Sequence, residues 1–261
     1  MKTIQIEPTT SKQDEILLLL YRFRFLNRIQ IQQFLNHKSD TRVTHWLKDL
    51  TERNIIKRIY SQTVGDINKP AIYYLGLKSR HILLLKFKEQ CNAKLLHRVY
   101  REGKSSPTFQ EHWIFMTDLY FHFLKVAKKN NAELHFYTQT DLENFAYLPL
   151  SLPDAYIAVK DQKQSKRYFL ELIDGNEKWF EADKKMKRLI SYFKKGYWQS
   201  HVDYPFPKIF IICPHRKLTK HLQEVIKKEF RKEEADIQFF FGIQADIQER
   251  GIQTNTWESV L

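Results

Sequence analysis

Apolar residues recur at three- and four-residue spacing through residues 11–54, and this period predicts helices. Three helices are expected, over residues 11–26, 28–36 and 39–54. In the third, one stripe along the helix is apolar and would face a core; it consists of Val43, Trp46, Leu47 and Leu50. The opposite side of that helix is polar, so the helix is expected to lie at the surface.

Two short apolar runs, 55–60 and 71–76, come next and read as strands joined by a turn-rich loop. Three helices followed by a two-stranded hairpin form the winged helix-turn-helix layout. In that layout the third helix enters the DNA major groove and the hairpin reaches the phosphate backbone. One further basic helix and a polar connector are predicted for residues 77–107.

Polar and basic side chains on the predicted third helix and hairpin are the candidate DNA-binding residues. These residue types can contact base edges and phosphates. The candidates are Thr41, Arg42, Thr44, His45 and Lys48 on the helix, Lys57 and Arg58 on the first strand, and Asn68 and Lys69 at the hairpin tip. A single histidine on a solvated helix, such as His45, is weak evidence for DNA binding. Winged helices also mediate protein contacts, so that alternative stays open.

The second half of the chain alternates between the two periods. Helix 108–131 is followed by strands 132–138, 154–160 and 166–173, helix 177–195, strand 207–213, helix 215–234 and strand 236–242. The order α-β-β-β-α-β-α-β is satisfied by a central mixed sheet flanked by helices. The predicted fold class is therefore α/β, or α+β for the chain overall.

Charge separates the same two halves. Residues 1–106 hold 20 Lys/Arg against 9 Asp/Glu, a net charge of +11, whereas residues 107–261 hold 23 against 21, a net of +2. We expect a basic domain over 1–106 and an α/β domain over 107–261. A concentrated positive field favours a polyanionic partner, double-stranded DNA before a membrane, although a basic surface also serves solubility.

The lengths of the apolar runs, the cysteines and the absence of several common motifs exclude some classes of protein. No apolar run approaches the ~20 residues that span a bilayer, and the distant Cys91 and Cys213 read as free thiols of a reducing cytoplasm. Phosphate-binding glycine loops, nucleophile elbows and zinc-ligand spacings are absent from the sequence.

Two acids on neighbouring predicted strands carry the candidate chemistry. Asp154 follows a proline at the start of one strand, and Glu171 lies near the end of the next. The PD-(D/E)xK nucleases place their metal-binding acids in this way, with a lysine two positions after the second acid. Here that position is Ile173, and Lys185 on the following helix is the lysine best placed to substitute. An active site would use Asp154 and Glu171 to hold Mg²⁺ and Lys185 to stabilise phosphate charge; the alternative for the helix lysines is a solvated basic face.

Over about residues 10–215 the chain resembles the replication–relaxation family of plasmid and mobile-element proteins, which join a winged helix to a PD-(D/E)xK-like domain. The similar segments are AIYYLGLKSRHIL (71–83), EHWIFMTDLY (111–120), LPDAYI (152–157), FLELIDGNE (169–177) and KMKRLISYFKKG (185–196). The family lysine falls on Lys185, whereas the family aspartate two places after the glutamate falls on Ile173, with Asp174 displaced by one. The resemblance implies DNA binding in replication, relaxation or their control.

Two functions are expected from these features. The first is a DNA-binding accessory or regulatory protein of a plasmid or mobile element, in which the nuclease-like domain is inactive and the partners include other replication or relaxosome proteins. The second is a Mg²⁺-dependent DNA endonuclease or nickase that uses Asp154, Glu171 and Lys185. Protein-binding winged helices and RNA partners stay open, and a homodimer is expected because winged helices often bind paired half-sites.

Overall fold

The computed structural model describes residues 7–60, 69–149, 151–162, 164–231, 236–252 and 256–260. The chain divides into two compact units, Met1–Asp118 and Leu119–Leu261. The division falls inside the long helix Pro107–Lys129. The domain boundary predicted from the sequence lies at the start of that helix. Among the described residues, none of the helices combines the length and the apolar character needed to cross a membrane.

The first unit is a winged helix followed by shorter helices. Its elements are α1 (Ser11–Phe23), β1 (Leu26–Asn27), α2 (Arg28–Phe34), α3 (Asp40–Glu52), β2 (Ile56–Ile59), β3 (Ile72–Leu75), α4 (Ser79–Lys86), α5 (Ala93–Val99) and a 3-10 helix (Glu102–Lys104). The three strands form an antiparallel sheet in the order β1-β3-β2. The predicted three helices and hairpin are confirmed, and β1 adds a short third strand.

Capping and burial explain why these helices form where they do. Thr10 and Asn27 each make a capping box at the start of α1 and α2, which satisfies backbone N–H groups that have no partner within the helix. Most of the apolar stripe residues of α1 and α3 are fully buried, including Leu17, Leu20 and Leu47. Burying one such side chain contributes about 1.5–3 kcal/mol, so packing holds the three helices together.

The second unit is a mixed sheet with helices on both faces. Its elements are α6 (Pro107–Lys129), whose second part lies in this unit, β4 (Glu133–Thr138), α7 (Gln139–Leu142), β5 (Ala155–Lys160), β6 (Ser165–Leu172), α8 (Trp179–Lys194), α9 (Tyr197–His201), β7 (Lys208–Cys213), α10 (Arg216–Glu229), β8 (Phe239–Ile243), α11 (Gln244–Arg250) and β9 (Glu258–Val260). The predicted mixed α/β fold, with a winged helix before an αβββαβ order, is confirmed.

The sheet runs β4-β5-β6-β7-β8-β9. Strands β4, β5 and β6 form an antiparallel meander, β7 and β8 are parallel to β6, and β9 closes the edge in antiparallel orientation. Phe169 and Ile173, on one face, belong to the core formed with α8 and α10. On the other face Phe210 packs against Phe123 of α6 and against Trp257.

Some sequence predictions differ from the structure. Residues 77–107 form α4, α5 and the 3-10 helix rather than one helix, because the chain turns at Phe87–Cys91. The predicted loop after β4 begins with α7, and α9, α11 and β9 have no counterpart in the prediction. These elements are three to seven residues long, too short for a periodic signal.

Candidate functional site

Helix α3 presents the polar surface that the sequence predicts for its outer side. Val43, Leu47 and Leu50 fix its orientation because all three are completely buried. Ser39 caps the helix by accepting a hydrogen bond from the Arg42 backbone N–H at 3.3 Å. The candidate residues on the opposite side are all exposed: Thr41, Arg42, Thr44, His45 and Lys48. We call these five the α3 face.

The basic side chains of the α3 face are held loosely. Lys48 lies 3.8 Å from Glu52, but both side chains are about two-thirds exposed, and such surface pairs contribute little free energy. The side chains of Arg42 and His45 make no hydrogen bond or ion pair within the described residues. The side chains of Arg42, His45 and Lys48 are therefore available to phosphate or base atoms at little energetic cost.

The wing adds positive charge beside the helix. Lys57 and Arg58 are exposed on β2, the edge strand of the sheet, and Lys69 is exposed just before β3. Lys57 Nζ donates to Asn54 Oδ1 at 2.6 Å, and the Arg58 guanidinium lies 5.2 Å from the ring centre of Tyr60. The predicted tip residue Asn68 lies outside the described residues.

A second basic cluster lies on α5 and the 3-10 helix of the same unit. Its side chains surround a hollow of about 400 Å³: Lys94, His97, Arg98, Arg101 and Lys104, with Glu102 and Ser105. The sequence predicts a basic helix here but does not single out these residues. Their convergence depends on the turn between the two helices, which the charge pattern does not specify.

The acid pair of the second unit is assembled by strand register. Ala155 on β5 pairs with Leu170 on β6, so the preceding Asp154 lies across from Glu171. Residues across from one another on antiparallel strands share a face of the sheet. Asp154 Oδ2 accepts a hydrogen bond from the Leu172 backbone N–H at 2.8 Å, and Glu171 is only 6% exposed.

Lys185 of α8 joins these acids, and the structure adds a third acid, Glu177. Lys185 Nζ donates to Glu177 Oε2 at 3.3 Å, with side-chain exposures of 29% and 14%. Burial of the ammonium favours its neutral form, but Asp154, Glu171 and Glu177 outweigh that effect and raise the pKa of Lys185 above its ordinary value of 10.5. The lysine is therefore a permanent cation within this acidic cluster.

Sequence reasoning did not assign Glu177 to the site because it lies between β6 and α8. The signal that could have found it is its position eight residues before Lys185. That spacing allows a turn to fold back toward the helix, and the Glu177 backbone N–H indeed donates to the Asp174 carbonyl at 3.0 Å. Asp174 itself lies beyond the end of β6.

Ile173 occupies the place of the missing lysine as a core residue. Its side chain is fully buried among apolar residues of the α8 and α10 core, and its N–H donates to the Ile212 carbonyl at 2.9 Å. A lysine in this position would have to bury its charge or displace that packing. Ile173 therefore contributes to the packing of the core.

The acidic cluster offers few side chains that could serve as metal ligands. Within the described part of the chain no group of three or more His, Cys, Asp and Glu side chains is arranged to hold an ion. Mg²⁺ often uses one or two carboxylates and retains several waters, and Asp154 and Glu171 are two carboxylates that the strand register places across from one another. One oxygen of Asp154 is already engaged by Leu172, and Lys185 supplies a competing positive charge.

The model of one protein family, Replication-relaxation, matches residues 17–205 of this chain. That span includes most of the winged helix and all of the acidic cluster. No curated protein matches the chain.

Solved structures show more distant likenesses. The zinc-responsive MarR family member ZitR of Lactococcus lactis is 21% identical, with 49% of this chain and 81% of that chain covered and a TM-score of 0.27. A mutant of ZitR gives 22% identity, 49% and 80% coverage and a TM-score of 0.28. The restriction endonuclease FokI is 11% identical over 97% of this chain and 47% of that chain, with a TM-score of 0.34. TM-scores this low do not establish a shared fold.

Proposed function

The chain belongs to the replication-relaxation family, and from that membership we propose that it is a DNA-binding accessory or regulatory protein whose winged helix binds duplex DNA. The observation that carries the proposal is the α3 face. Five polar or basic side chains stand exposed on the helix that other winged helices insert into the major groove. The plasmid or mobile-element setting, and partner proteins of replication or relaxation, belong to the same proposal.

The charge distribution supports duplex DNA as the ligand. The wing cations Lys57, Arg58 and Lys69 lie on the hairpin that follows α3, and residues 1–106 carry a net charge of +11. Cations spread over a helix and a wing can contact phosphates while Arg42 reaches base edges. Neutralising phosphates releases counterions, so affinity should fall steeply as salt rises.

Fluorescence anisotropy with labelled duplexes tests this proposal. We expect Arg42→Ala and Lys48→Ala each to weaken binding by roughly 5–100-fold, as expected for about 1–3 kcal/mol per base contact and somewhat less for a phosphate contact. Lys48→Ala should also lower the slope of log K against log salt by about 1.

Lys12→Ala is the matched control, because Lys12 is a half-exposed cation of α1 already paired with Glu15 at 2.6 Å. It should retain the wild-type affinity. Wild-type affinity in the Arg42→Ala and Lys48→Ala variants, with a normal melting temperature, would refute duplex binding through the α3 face and favour a protein-binding winged helix.

For the second unit we propose a nuclease-like site that does not cut DNA. Ile173 fills the signature-lysine position from within the core, and the Asp154 carboxylate is bonded to the backbone of β6. Lys185 neutralises part of the acidic charge from α8. In this role the cluster stabilises the junction of β5, β6 and α8.

Asp154 and Glu171 lie across from one another on neighbouring strands, and Lys185 lies beside them. This arrangement supports a second candidate function, a Mg²⁺-dependent endonuclease or nickase. When bound, the metal would supply an activated water and charge stabilisation. Asp154 and Glu171 would hold the ion, and Lys185 would stay protonated near a bound phosphate.

Incubation of supercoiled plasmid with Mg²⁺ or Mn²⁺ separates the two functions of the cluster. We expect intact plasmid from the wild type and from Glu171→Gln alike, with duplex affinity unchanged by the substitution. Nicking by the wild type that Asp154→Asn abolishes would overturn the non-catalytic proposal. A melting temperature raised by Mg²⁺ in the wild type and not in Asp154→Asn would independently identify the metal site.

A further inference from the structure

A groove of about 1210 Å³ lies in the second unit between the segment before β5 and helices α8 and α9. One wall is residues 146–149 and 151, and the other wall is formed by the two helices. The helix side chains in the groove are Lys184, Lys187, Arg188, Ser191, Tyr192, Lys195, Tyr197 and His201. The acidic cluster does not line this groove.

The groove has a larger excess of positive over negative side chains than the second unit as a whole. Residues 119–261 hold 23 Lys/Arg against 19 Asp/Glu, yet four exposed cations and no acid stand among the described lining residues. Lys184 pairs with Glu181 at 3.2 Å. Lys187, Arg188 and Lys195 make no side-chain ion pair or hydrogen bond within the described residues, so their charge is directed to solvent.

Aromatic rings alternate with these cations. Tyr192 is buried and its hydroxyl donates to the Tyr147 carbonyl at 3.0 Å, which fixes one wall of the groove to the other. The Tyr147 ring stacks on His201 at 5.8 Å. Tyr197 stacks on Tyr192 at 6.4 Å while 51% of Tyr197 remains exposed. A supported, half-exposed ring is a ready surface for a flat ligand.

We propose that this groove binds a single polynucleotide strand, with Lys187, Arg188 and Lys195 contacting successive phosphates and Tyr197 stacking on an unpaired base. Cations that follow a backbone, combined with aromatic rings that receive bases, are the features by which proteins hold single strands. Stacking requires an unpaired base because a base within a duplex already has neighbours on both faces. This site is separate in sequence and chemistry from the duplex-binding α3 face.

Fluorescence anisotropy of the full chain with labelled oligo(dT) of about 20 nucleotides tests the proposal, since site sizes for such grooves run to about 16 nucleotides. The double variant Lys187→Ala/Arg188→Ala should bind at least about 10-fold more weakly, with the salt slope reduced by about 1.4 for two single-strand phosphate contacts. The affinity of Tyr197→Ala for the strand should be lower by roughly 5–100-fold, since one stacked base contributes about 1–3 kcal/mol. Tyr197→Phe keeps the ring and should bind the strand as the wild type does.

The matched control is Lys227→Ala/Lys228→Ala, which removes two exposed cations from α10 of the same unit. It should bind the strand normally. An oligo(U) of equal length in parallel identifies whether DNA or RNA is the preferred strand. Equal losses in the control and groove variants, or wild-type binding by Tyr197→Ala, would overturn the proposal.

Competition separates this groove from the winged helix. Arg42→Ala and Lys48→Ala should leave strand binding intact, and unlabelled duplex should displace the strand less effectively than unlabelled oligo(dT). Loss of strand binding in the α3-face variants would place the strand on the winged helix and refute the groove, while leaving the duplex-binding function in place. Equal displacement by duplex would refute the preference for unpaired bases.

Discussion

At the scale of single residues, Lys185 is a cation that bonds to Glu177 and is also stabilised by the charges of Asp154 and Glu171. Its bond to Glu177 and the charges of Asp154 and Glu171 keep it protonated throughout the physiological pH range. A lysine whose pKa is raised on folding stabilises the protein below its ordinary pKa, and that stabilisation is lost only as the pH rises above it. The cluster therefore contributes its full stabilisation at neutral pH.

Lys185→Met should destabilise the protein by about 1–3 kcal/mol, because it keeps the volume of the side chain and leaves the acids without their cation. Lys184→Met is the control on the neighbouring position. The Lys184 side chain is 54% exposed and forms a surface ion pair with Glu181 at 3.2 Å, so its replacement should lower the free energy of unfolding by less than about 1 kcal/mol. Urea unfolding at neutral pH measures both, and equal midpoints for the two variants would contradict a stabilising cluster.

The expectation that Asp154 and Glu171 lie near one another came from their places at matching ends of two neighbouring strands joined by a short polar turn, and the strand register places them across from one another. Side chains alternate along a strand, so Ile173 lies on the same face as Glu171, and the structure has Ile173 in the core. The partner Glu177 could not be derived in this way. Its position depends on how the turn after β6 directs α8, which is a tertiary property.

At the scale of elements, α2 is a seven-residue helix held by side-chain bonds at its start. Asn27 Oδ1 accepts from the Gln30 N–H at 2.9 Å, and Gln30 Oε1 accepts from the Asn27 N–H at 3.1 Å. Gln30 Nε2 also donates to the Ile114 carbonyl and to Asp118 Oδ1, at 2.9 and 2.8 Å. This glutamine is 3% exposed and links α2 to the first part of α6.

Gln30→Ala should lower the free energy of unfolding of the winged helix by about 1–3 kcal/mol, since it removes a capping bond and leaves buried groups with fewer partners. Gln33→Ala is the matched control, an exposed glutamine on the same helix, and should change stability by less than about 0.5 kcal/mol. Thermal unfolding followed by circular dichroism distinguishes them. Equal melting temperatures would mean that the Gln30 bonds contribute nothing net.

Long periodic elements were predictable and short ones were not. Helices α1, α3, α6, α8 and α10 have apolar stripes that a sequence displays directly, and the strands β5 and β6 are apolar runs bounded by polar residues. In α11 only Ile247 is buried, so the segment has no stripe to detect. The capping box of α2 was a readable signal, an asparagine followed three residues later by glutamine, but the contacts of Gln30 with α6 span over 80 positions of sequence.

At the scale of the whole molecule, several ionisable groups are buried in their neutral forms. Burial raises the pKa of Cys91 and of Cys213 from 9.0 to about 11. Burial likewise raises the pKa of Tyr156 and of Tyr192 from 10.0 to about 12. The unfolded chain would lose these protons at lower pH than the folded protein does.

Stability should therefore be constant up to about pH 9 and fall as the pH rises through 11, by roughly 1–3 kcal/mol for each group that ionises only on unfolding. Urea midpoints across this range measure the loss. Both thiols should resist alkylation at pH 8 until urea is added. A flat stability profile to pH 11, or rapid alkylation of the native protein, would contradict this expectation.

The short strand β9 has a practical consequence for handling the protein. It pairs with β8, so that Phe239 lies beside Val260 and Phe241 beside Glu258 at the edge of the sheet. Without β9, three consecutive phenylalanines would present open backbone groups to solvent, and uncharged aromatic edges of this kind promote self-association. A variant truncated after residue 255 should scatter light and elute as aggregates.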